Sequence, residues 1–388
     1  MDKEKPVLGW RLRRVMVGVV AVMSCILFLP AAQAQVTPTV LASWGFDNVT
    51  APALPDGWAT AGTNGGAWAT ASTSVNPAGI DAVSAPNMLV FNAHAASPSN
   101  LANGYLTLSE DVTHYVNARV RFWMYHDSGA SGRDDYIQFI YSTNAWSTLF
   151  AVVDFHRYSS SPGWQEHEVF LPAAQTDHQA TLSIGFTGHG AGGNDIFIDD
   201  VRLIAELDPY CDPPEGTAGT QVQVISTGFG AKKGKVYLVG QKTPLKVTSW
   251  LDGNATCEVT GIYPPGVYDV SVQPADPKGA APIILANAFT VRAPVIAFVD
   301  AGGAPGDVLD LDGRFLTTKK GKILLRNSGP TGVIEKSCKV VSWTMDTTTT
   351  GNGSVHFVVP KVPSGTYDLT LQVKGMPDAF APNAVTVP

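Results

Sequence analysis

The C-terminal half of the chain contains one sequence pattern twice. Each copy has, in order, a glycine with a phenylalanine one or two residues after it, a Lys-Gly-Lys triplet, a Val-x-Ser-Trp segment, a Gly-x-Tyr-Asp segment and an Asn-Ala-x-Thr-Val ending. The landmarks of the two copies are Gly228, Lys233, Trp250, Tyr268 and Asn287, and then Gly313, Lys320, Trp343, Tyr367 and Asn383. A period of about 90 residues is the length of a whole small β-sandwich rather than of a solenoid repeat. The pattern therefore predicts two copies of one sandwich domain.

The composition predicts an all-β extracellular protein. Charged residues make up only 15% of the chain, whereas glycine and proline are abundant, with 38 and 27 residues. Short segments of alternating apolar and polar residues are separated by Gly, Ser, Asn and Pro clusters, which is typical of strands and turns. The net charge of −7 argues against a nucleic-acid partner and against binding to acidic membranes.

Residues 1–34 are predicted to be a secretory signal peptide. Arg11, Arg13 and Arg14 form a positive end, Val15 to Leu29 is almost entirely apolar, and Ala32-Gln33-Ala34 fits a cleavage site. The alternative is a retained membrane anchor, for which the apolar run is short. We therefore expect a secreted, periplasmic or cell-surface protein with no membrane span in the mature chain.

The landmarks divide the mature chain into three predicted domains. An N-terminal unit covers residues 35–207, opening with Trp44-Gly45-Phe46-Asp47 and closing with Ile198-Asp199-Asp200-Val201. The two repeats cover residues 208–292 and 293–388. A proline-rich junction at 208–214 predicts a short extended linker rather than a hinge, because proline fixes φ and removes a hydrogen-bond donor.

The repeats resemble the IPT/TIG family of immunoglobulin-like sandwiches. The resemblance rests on Gly228-Phe229-Gly230, Val247-Thr248-Ser249-Trp250 and Pro265-Gly266-Val267-Tyr268-Asp269-Val270, with their counterparts in the second copy. It implies that Tyr268 and Tyr367 act as corner tyrosines, with the ring in the core and the hydroxyl on nearby backbone. Trp250 and Trp343 are interpreted as core residues rather than as a ligand platform.

The N-terminal unit resembles the cleaved-adhesin or choice-of-anchor J domains, which are similar to MAM domains. Trp44-Gly45-Phe46-Asp47, Leu54-Pro55-Asp56-Gly57-Trp58 and the closing Ile198-Asp199-Asp200-Val201 carry this resemblance. It implies a jelly-roll sandwich of the concanavalin type and a structural calcium ion held by Asp47, Asp199 and Asp200. Calcium takes six to eight oxygen ligands, so backbone carbonyls would complete the site. The alternative is that the two closing aspartates face solvent or cap a turn.

Three cysteines follow the signal peptide, and an odd number leaves one thiol free in an oxidising compartment. Cys211 and Cys257 both lie in the first repeat, so we predict a disulfide between them. Cys338 lies in a strand-like segment of the second repeat and is interpreted as an inert buried thiol rather than as a link to another chain.

The best candidate ligand surface lies on the segment from Arg119 to Tyr125. A period of two places Val120, Phe122 and Met124 on one side of the strand and Arg119, Arg121, Trp123 and Tyr125 on the other. An aromatic ring between guanidinium groups suits sugar recognition. The alternative is a strand with large residues buried on both faces. Trp146 and Tyr158 are secondary candidates, whereas Trp58, Trp68 and Trp164 are interpreted as core residues.

The sequence contains no recognisable catalytic motif. Seven of the eight histidines lie in the N-terminal unit, but none has the spacing of a helical zinc site. The loop from His126 to Asp135 combines acids, a base and hydroxyls, yet it lacks a nucleophile elbow, and its Ser-Gly-rich composition favours a flexible turn.

These observations predict a non-catalytic binding or adhesion protein. Its jelly-roll domain would recognise a carbohydrate or an extracellular protein, and the repeats would act as a stiff spacer. One alternative is a structural component of the cell surface whose repeats make the protein contacts. A further alternative is a polysaccharide-degrading enzyme.

Overall fold

The computed structural model of the protein describes residues 38–96, 102–329, 332–348 and 351–388. The predicted signal peptide lies outside these residues. The described segments belong to one compact unit and contain 26 strands, one four-residue α-helix and one 3-10 turn. The predicted all-β sandwich class is confirmed.

The strands of the N-terminal sandwich, β1–β11, are short and mostly amphipathic. They are β1 (Pro38–Trp44), β2 (Ala59–Thr63), β3 (Trp68–Ala71), β4 (Met88–Phe91), β5 (Ala102–Glu110), β6 (Tyr115–His126), β7 (Tyr136–Ser142), β8 (Phe150–His156), β9 (Gly163–Phe170), β10 (Leu182–Gly190) and β11 (Ile196–Leu207). The 3-10 turn is Ala93–Ala95, and the helix α1 is Ala173–Thr176.

These strands form two facing sheets around one core. The first sheet has the order β3-β4-β11-β6-β9, with β1 also paired to β11, and the second has the order β2-β5-β10-β7-β8. Strand β6 shows why the sequence folds this way: Val120, Phe122 and Met124 are fully buried, and the residues between them are half-buried on the other face. Burying each such side chain stabilises the fold by about 1.5–3 kcal/mol.

Strand β11 changes the face it buries in the middle of its length. Ile196 and Ile198 face the core, and then Val201 and Leu203 do so. This change of phase requires an extra residue, and a bulge between Asp199 and Arg202 supplies it. Asp200 has a φ of 49° there. The bulge therefore brings two consecutive aspartates to one spot in the sheet.

The two repeats form the remaining strands. The first repeat contains β12 (Tyr210–Asp212), β13 (Glu215–Gly216), β14 (Gln221–Ile225), β15 (Lys235–Leu238), β16 (Lys246–Leu251), β17 (Asn254–Glu258), β18 (Gly266–Gln273) and β19 (Ile283–Val291). The second contains β20 (Val295–Val299), β21 (Val308–Arg314), β22 (Lys322–Gly329), β23 (Gly332–Met345), β24 (Asn352–Val358), β25 (Gly365–Gln372) and β26 (Ala379–Val387).

Each repeat buries its apolar residues between two layers of strands. The first has the sheets β12-β14-β17-β16 and β13-β19-β18-β15. In the second, all seven strands are connected in the order β20-β21-β24-β23-β22-β25-β26. The connection arises because β23 pairs with β22 through one half of its length and with β24 through the other.

The Lys-Gly-Lys triplet and the tryptophan of each repeat are in contact. A Cβ atom on Gly234 would lie 2.8 Å from the Trp250 ring, and one on Gly321 would lie 2.7 Å from the Trp343 ring. Each indole N–H donates to a backbone carbonyl at 2.9 Å. Both tryptophans pack against the common core, as predicted. The glycine recurs because the indole occupies the space that a side chain would need.

The Tyr-Asp segment and the closing asparagine also make the same contacts twice. Tyr268 and Tyr367 donate their hydroxyls to the carbonyls of Pro264 and Pro363, each at 2.8 Å, which confirms the corner-tyrosine prediction. The backbone N–H of Asn287 donates to Asp269 at 2.7 Å, and that of Asn383 donates to Asp368 at 2.8 Å. Both asparagines have a φ near 50°, where asparagine is tolerated better than most residues.

The repeats meet through backbone hydrogen bonds. The N–H of Thr318 donates to the carbonyl of Ala218 at 3.1 Å, and the N–H of Gln221 donates to the carbonyl of Thr347 at 2.6 Å. At Gly219 the segments of the two repeats are so close that a Cβ atom on this glycine would lie 2.3 Å from the Thr318 side chain. One continuous apolar cluster includes residues of both repeats. Relative motion of the repeats would therefore break buried contacts.

The predicted disulfide is not formed, and this prediction is corrected. Cys211, Cys257 and Cys338 are all free, buried thiols. Cys211 lies on β12 and Cys257 on β17, and β14 lies between these strands and pairs with both. Two inter-strand spacings separate the cysteines by at least about 9 Å, which exceeds the roughly 7 Å limit for bridging Cα atoms. Burial raises the pKa of each of the three thiols to about 12.

Candidate functional site

The outer face of the six-stranded sheet carries the residues that the sequence suggested as ligand contacts. Arg121, Trp123 and Tyr125 point away from the core, as the alternation predicted. Arg121 is already engaged, because its Nη2 lies 2.9 Å from Glu168 and its Nε lies 3.9 Å from Glu166. The guanidinium group is therefore not free to bind a sugar hydroxyl without losing these contacts.

A small apolar cluster covers one end of that face. Ile80, Met88 and Phe197 are buried there, and Tyr125 and Trp164 pack against them. The rings of Tyr125 and Trp164 meet edge to face at 5.6 Å, and the Trp164 indole N–H donates to the carbonyl of Asp81 at 2.9 Å. Trp164 thus belongs to this cluster, while Trp58 and Trp68 are buried in the main core as predicted. Tyr125 is half-covered rather than open.

Trp146 is not part of the same surface. It lies between β7 and β8, at one end of the five-stranded sheet, with a φ of 67°. Its backbone N–H donates to the Ser142 hydroxyl at 3.0 Å. The structure therefore does not bring Trp146 together with Trp123.

The outer face of the five-stranded sheet carries a row of three rings from adjacent strands. His189 on β10 lies opposite Tyr136 on β7, which lies opposite His156 on β8. The Tyr136 and His189 rings are stacked with centroids 4.4 Å apart, and the Tyr136 and His156 rings are 5.5 Å apart. Desolvation lowers the pKa of His189 and raises the pKa of Tyr136. Both groups therefore favour their neutral forms.

A second row of polar side chains lies beside the rings. Thr187 is opposite Gln138, and Gln138 is opposite Asp154. The amide of Gln138 donates to Asp154 at 2.8 Å, which fixes the two side chains relative to each other. Gln138 and Asp154 keep further donors and acceptors that face outward. An apolar row next to a polar row is the surface that a sugar requires, since a pyranose has apolar faces and a polar rim.

The loop 127–135 at the end of this face is held by a fully buried arginine. Arg157 Nη1 lies 2.7 Å from both carboxylate oxygens of Asp127, and its Nε lies 3.1 Å from Asp135. The same guanidinium donates to the carbonyls of Gly129 and Ala130. The loop was expected to be a flexible turn, but it is pinned by charge-assisted hydrogen bonds at its base.

The pinned loop forms one wall of a polar cavity. The cavity has a volume of about 330 Å³ and is lined mainly by Arg133, Asp134, His156 and Tyr158. His156 Nδ1 lies 2.9 Å from Asp134 Oδ1. Because His156 is also the last ring of the row, the cavity is continuous with the aromatic surface. Tyr158, a secondary candidate from the sequence, is 42% exposed and lines this cavity.

Two further histidines form a pair inside the sandwich. The Nε2 atoms of His126 and His167 lie 2.9 Å apart, so one imidazole donates and the other accepts. Burial lowers the pKa of His126, and burial together with the neighbouring imidazole lowers the pKa of His167 to about 4. The flanking Glu166 and Glu168 are exposed, whereas the histidine between them is partly buried.

The aspartates suggested as calcium ligands gather around Ser84 and Gly45. The Ser84 N–H lies 2.9 Å from Asp199, and its hydroxyl lies 3.2 Å from Asp200 and 3.4 Å from the Gly45 carbonyl. Asp47 also reaches this spot, because a Cβ atom on Gly45 would lie 3.3 Å from oxygens of both Asp47 and Asp200. Desolvation raises the pKa of the fully buried Asp199 to about 6.

Carboxylates alone do not complete a metal site. Within the described ranges, no three Asp, Glu, His or Cys side chains are placed to hold a metal ion by themselves. The residues present fit a hard cation only when the Ser84 hydroxyl and the Gly45 carbonyl are counted. The Ser84 hydroxyl has one proton but lies near three acceptor oxygens, which leaves an oxygen-rich spot of the kind that calcium prefers.

Sequence reasoning missed the aromatic row and found part of the cavity. Tyr136 and Gln138 lie two residues apart on one strand, so the sequence alone places them on the same face. Their partners His156 and His189 lie on strands far away in the sequence, and only the strand order places them side by side.

In the part of the chain that the structure describes, no helix is long and apolar enough to cross a membrane.

No protein-family model matches the sequence, and a comparison with curated protein sequences finds no relative. Solved structures with partial similarity include the K1 cleaved adhesin domain of Lys-gingipain from Porphyromonas gingivalis. It is 17% identical, the match covers 43% of this chain and 97% of that domain, and the TM-score is 0.31.

Two carbohydrate-binding modules are similar to the same extent. TmCBM61, solved in complex with β-1,4-galactotriose, is 17% identical over 38% of this chain and 88% of the module, with a TM-score of 0.28. TmCBM27, described for specific mannan recognition, is 13% identical over 44% of this chain and 98% of the module, with a TM-score of 0.29. Similarity at this level does not establish a shared function.

Proposed function

We propose that the protein is a non-catalytic, exported glycan-binding protein whose ligand lies on the outer face of the five-stranded sheet. The observation that carries the proposal is the row of rings formed by His189, Tyr136 and His156. Three rings on adjacent strands, spaced 4.4 Å and 5.5 Å apart, form a preformed aromatic row in which Tyr136 and His189 are stacked. Gln138 and Asp154 supply the neighbouring donors and acceptors.

This face suits a glycan better than the face first predicted from the sequence. Tyr136 and His189 favour their neutral forms, and polar groups that still have bonding capacity flank the row. On the six-stranded sheet, by contrast, Arg121 is ion-paired and Tyr125 packs in an apolar cluster. The sequence-based prediction that Arg121, Trp123, Tyr125 and Trp146 contact the ligand competes with this proposal, so Trp123 serves as the internal control below.

The two C-terminal sandwiches act as a stiff spacer. Their shared apolar cluster and the hydrogen bonds at Thr318 and Gln221 support this role. At the junction between the N-terminal sandwich and the first repeat, the His114 and Tyr210 rings are stacked with centroids 3.7 Å apart. The N–H of Asp208 donates to the His114 carbonyl there at 2.9 Å. The assignment of the repeats to the IPT/TIG family and the extracellular location remain part of this proposal.

A glycan array probed with the full chain tests the function, followed by titration of any ligand it identifies. Tyr136→Ala removes the central ring and should weaken binding about 30-fold or more, as truncation of a central aromatic anchor does. Trp123→Ala, a matched aromatic truncation on the other sheet, should leave the affinity unchanged. Thermal melts of both variants verify folding. The opposite result would move the site to the six-stranded sheet, and release of reducing ends from a polysaccharide would indicate an enzyme.

We also propose a structural calcium ion at Asp47, Asp199 and Asp200. The carbonyl of Gly45 and the hydroxyl of Ser84 would complete the oxygen ligands. Millimolar Ca²⁺ should raise the melting temperature relative to EDTA, because a ligand that binds only the folded state adds about 2.7 kcal/mol at a hundredfold excess over Kd. Asp199→Asn should abolish the shift, whereas Asp81→Asn, an exposed aspartate nearby, should retain it. No shift in the unmodified protein would refute the site.

A further inference from the structure

We propose that the cavity at the end of the aromatic row binds a sugar that carries a carboxylate, as the terminal residue of the glycan. This inference rests on the proposed function and adds the ligand class. The row leads into the cavity through His156, which belongs to both. A chain lying along the rings would therefore place its last sugar against the pinned loop.

The size of the cavity fits a single terminal residue. Its volume of about 330 Å³ is at the lower end of the roughly 300–1,000 Å³ range of small-molecule pockets. The loop 127–135 limits it on one side, and Arg157 holds the base of that loop to Asp127 and to two backbone carbonyls. A loop fixed before binding loses little conformational freedom when the ligand arrives.

Arg133 is the group in the cavity that favours a carboxylate. Asp135 is fully engaged, because it accepts from Arg157 and from the backbone N–H groups of Ala191 and Gly193. Asp134 Oδ1 lies 2.9 Å from His156 Nδ1, so this carboxylate already has a hydrogen-bond partner. The guanidinium of Arg133 makes no ion pair with the residues that the structure describes. Arg133 is therefore the cation in the cavity whose donors remain available.

The chemistry of guanidinium explains the expected specificity. Arginine presents parallel N–H donors that match the two oxygens of a carboxylate. The Tyr158 hydroxyl on the same wall can bond a ring hydroxyl of the sugar. A neutral terminal sugar would bind the rings equally well but would leave the Arg133 donors without a charged partner.

Titration of the full chain with matched oligosaccharides tests the inference. The probes are galacturonate oligomers and the corresponding neutral galactose oligomers, at equal chain length. The acidic series should bind about tenfold more tightly, and Arg133→Gln should remove that difference while leaving the neutral series unchanged. Arg326→Gln, an exposed arginine of the second repeat, is the matched control and should behave as the unmodified protein.

The two proposals fail in different ways in this experiment. Binding of neutral oligomers without an acidic preference, or an acidic preference that survives Arg133→Gln, overturns the carboxylate site and leaves the glycan function intact. Absence of binding for both series in the unmodified protein, together with no ligand on the glycan array, overturns the function itself. Adding salt should weaken the acidic series selectively, because an exposed charge pair is screened.

Discussion

The ring of Tyr136 stacks on the ring of His189 at 4.4 Å, with 22° between the planes. The two residues are directly opposite each other on neighbouring strands, so the contact is fixed by backbone pairing and not by loop conformation. Desolvation lowers the pKa of His189, which keeps its ring uncharged at neutral pH.

Glycan affinity should therefore be independent of pH from about pH 8 to about pH 6.5 and should fall only below that range. Protonation of His189 would place a hydrated cation in the apolar row and weaken its contact with an apolar sugar face. Titration calorimetry at several pH values measures the effect. His189→Phe, which retains a ring without a titrating group, should flatten the profile. A profile unchanged in that variant would show that another group controls binding.

Gly193 should not tolerate a side chain. A Cβ atom there would lie 1.7 Å from a carboxylate oxygen of Asp135 and 2.9 Å from Arg157. Gly193→Ala should thus lower the free energy of unfolding by about 1–3 kcal/mol, as overpacking does. Gly132→Ala, where a Cβ atom would have no neighbour within 4 Å, should change stability by less than about 0.5 kcal/mol. Urea unfolding compares the two variants, and equal stabilities would contradict the pinned-loop description.

The His126–His167 pair should make stability depend on pH. An unfolded imidazole titrates near pH 6.5, whereas the pKa of His167 in the folded chain is about 4. Between these values the unfolded chain binds more protons, so the contribution of His167 to stability falls as the pH is lowered. Asp199, whose pKa is raised to about 6, acts in the opposite direction over part of this window.

Comparison with His167→Gln isolates the histidine from the aspartate. The stability of the unmodified protein relative to this variant should decrease by about 1 kcal/mol between roughly pH 7 and pH 5. Urea unfolding at each pH provides the measurement. A difference that stays constant, or grows at the lower pH, would mean that His167 is protonated in the folded chain.

The three thiols should be unreactive in the folded protein. They are buried, and their pKa values near 12 keep them protonated. An alkylating reagent should modify none of them under native conditions and all three after denaturation without a reductant. Mass spectrometry counts the modified sites. Recovery of Cys338 as the only alkylated cysteine would restore the predicted Cys211–Cys257 disulfide.

Gly234 and Gly321 should be equally intolerant of substitution. In both repeats a Cβ atom would collide with the indole and with a backbone carbonyl, at 2.2 Å from Gln273 and 2.4 Å from Gln372. Backbone cannot move aside cheaply, so Gly234→Ala and Gly321→Ala should each destabilise the protein by about 1–3 kcal/mol. Calorimetry measures both variants. A large effect in one repeat and none in the other would show that the contact is not equivalent.

The repeated sequence determined the local structure of the C-terminal half. The corner tyrosines Tyr268 and Tyr367 and the core tryptophans were predicted correctly, because each reflects contacts within one sandwich and alternation along one strand. The alternation on β6 was also correct, since side chains must alternate across a pleated strand.

Only the tertiary structure decided which strands are neighbours and in what register. Strand β14 lies between Cys211 and Cys257 and prevents their disulfide. The pairing of β7 with β8 and β10 assembles Tyr136, His156 and His189 into one surface, and the burial of Arg157 turns a Ser-Gly-rich loop into a fixed wall. These relationships join residues that are distant along the chain. Their energies depend on the packing of the whole sandwich, which no local pattern of residues contains.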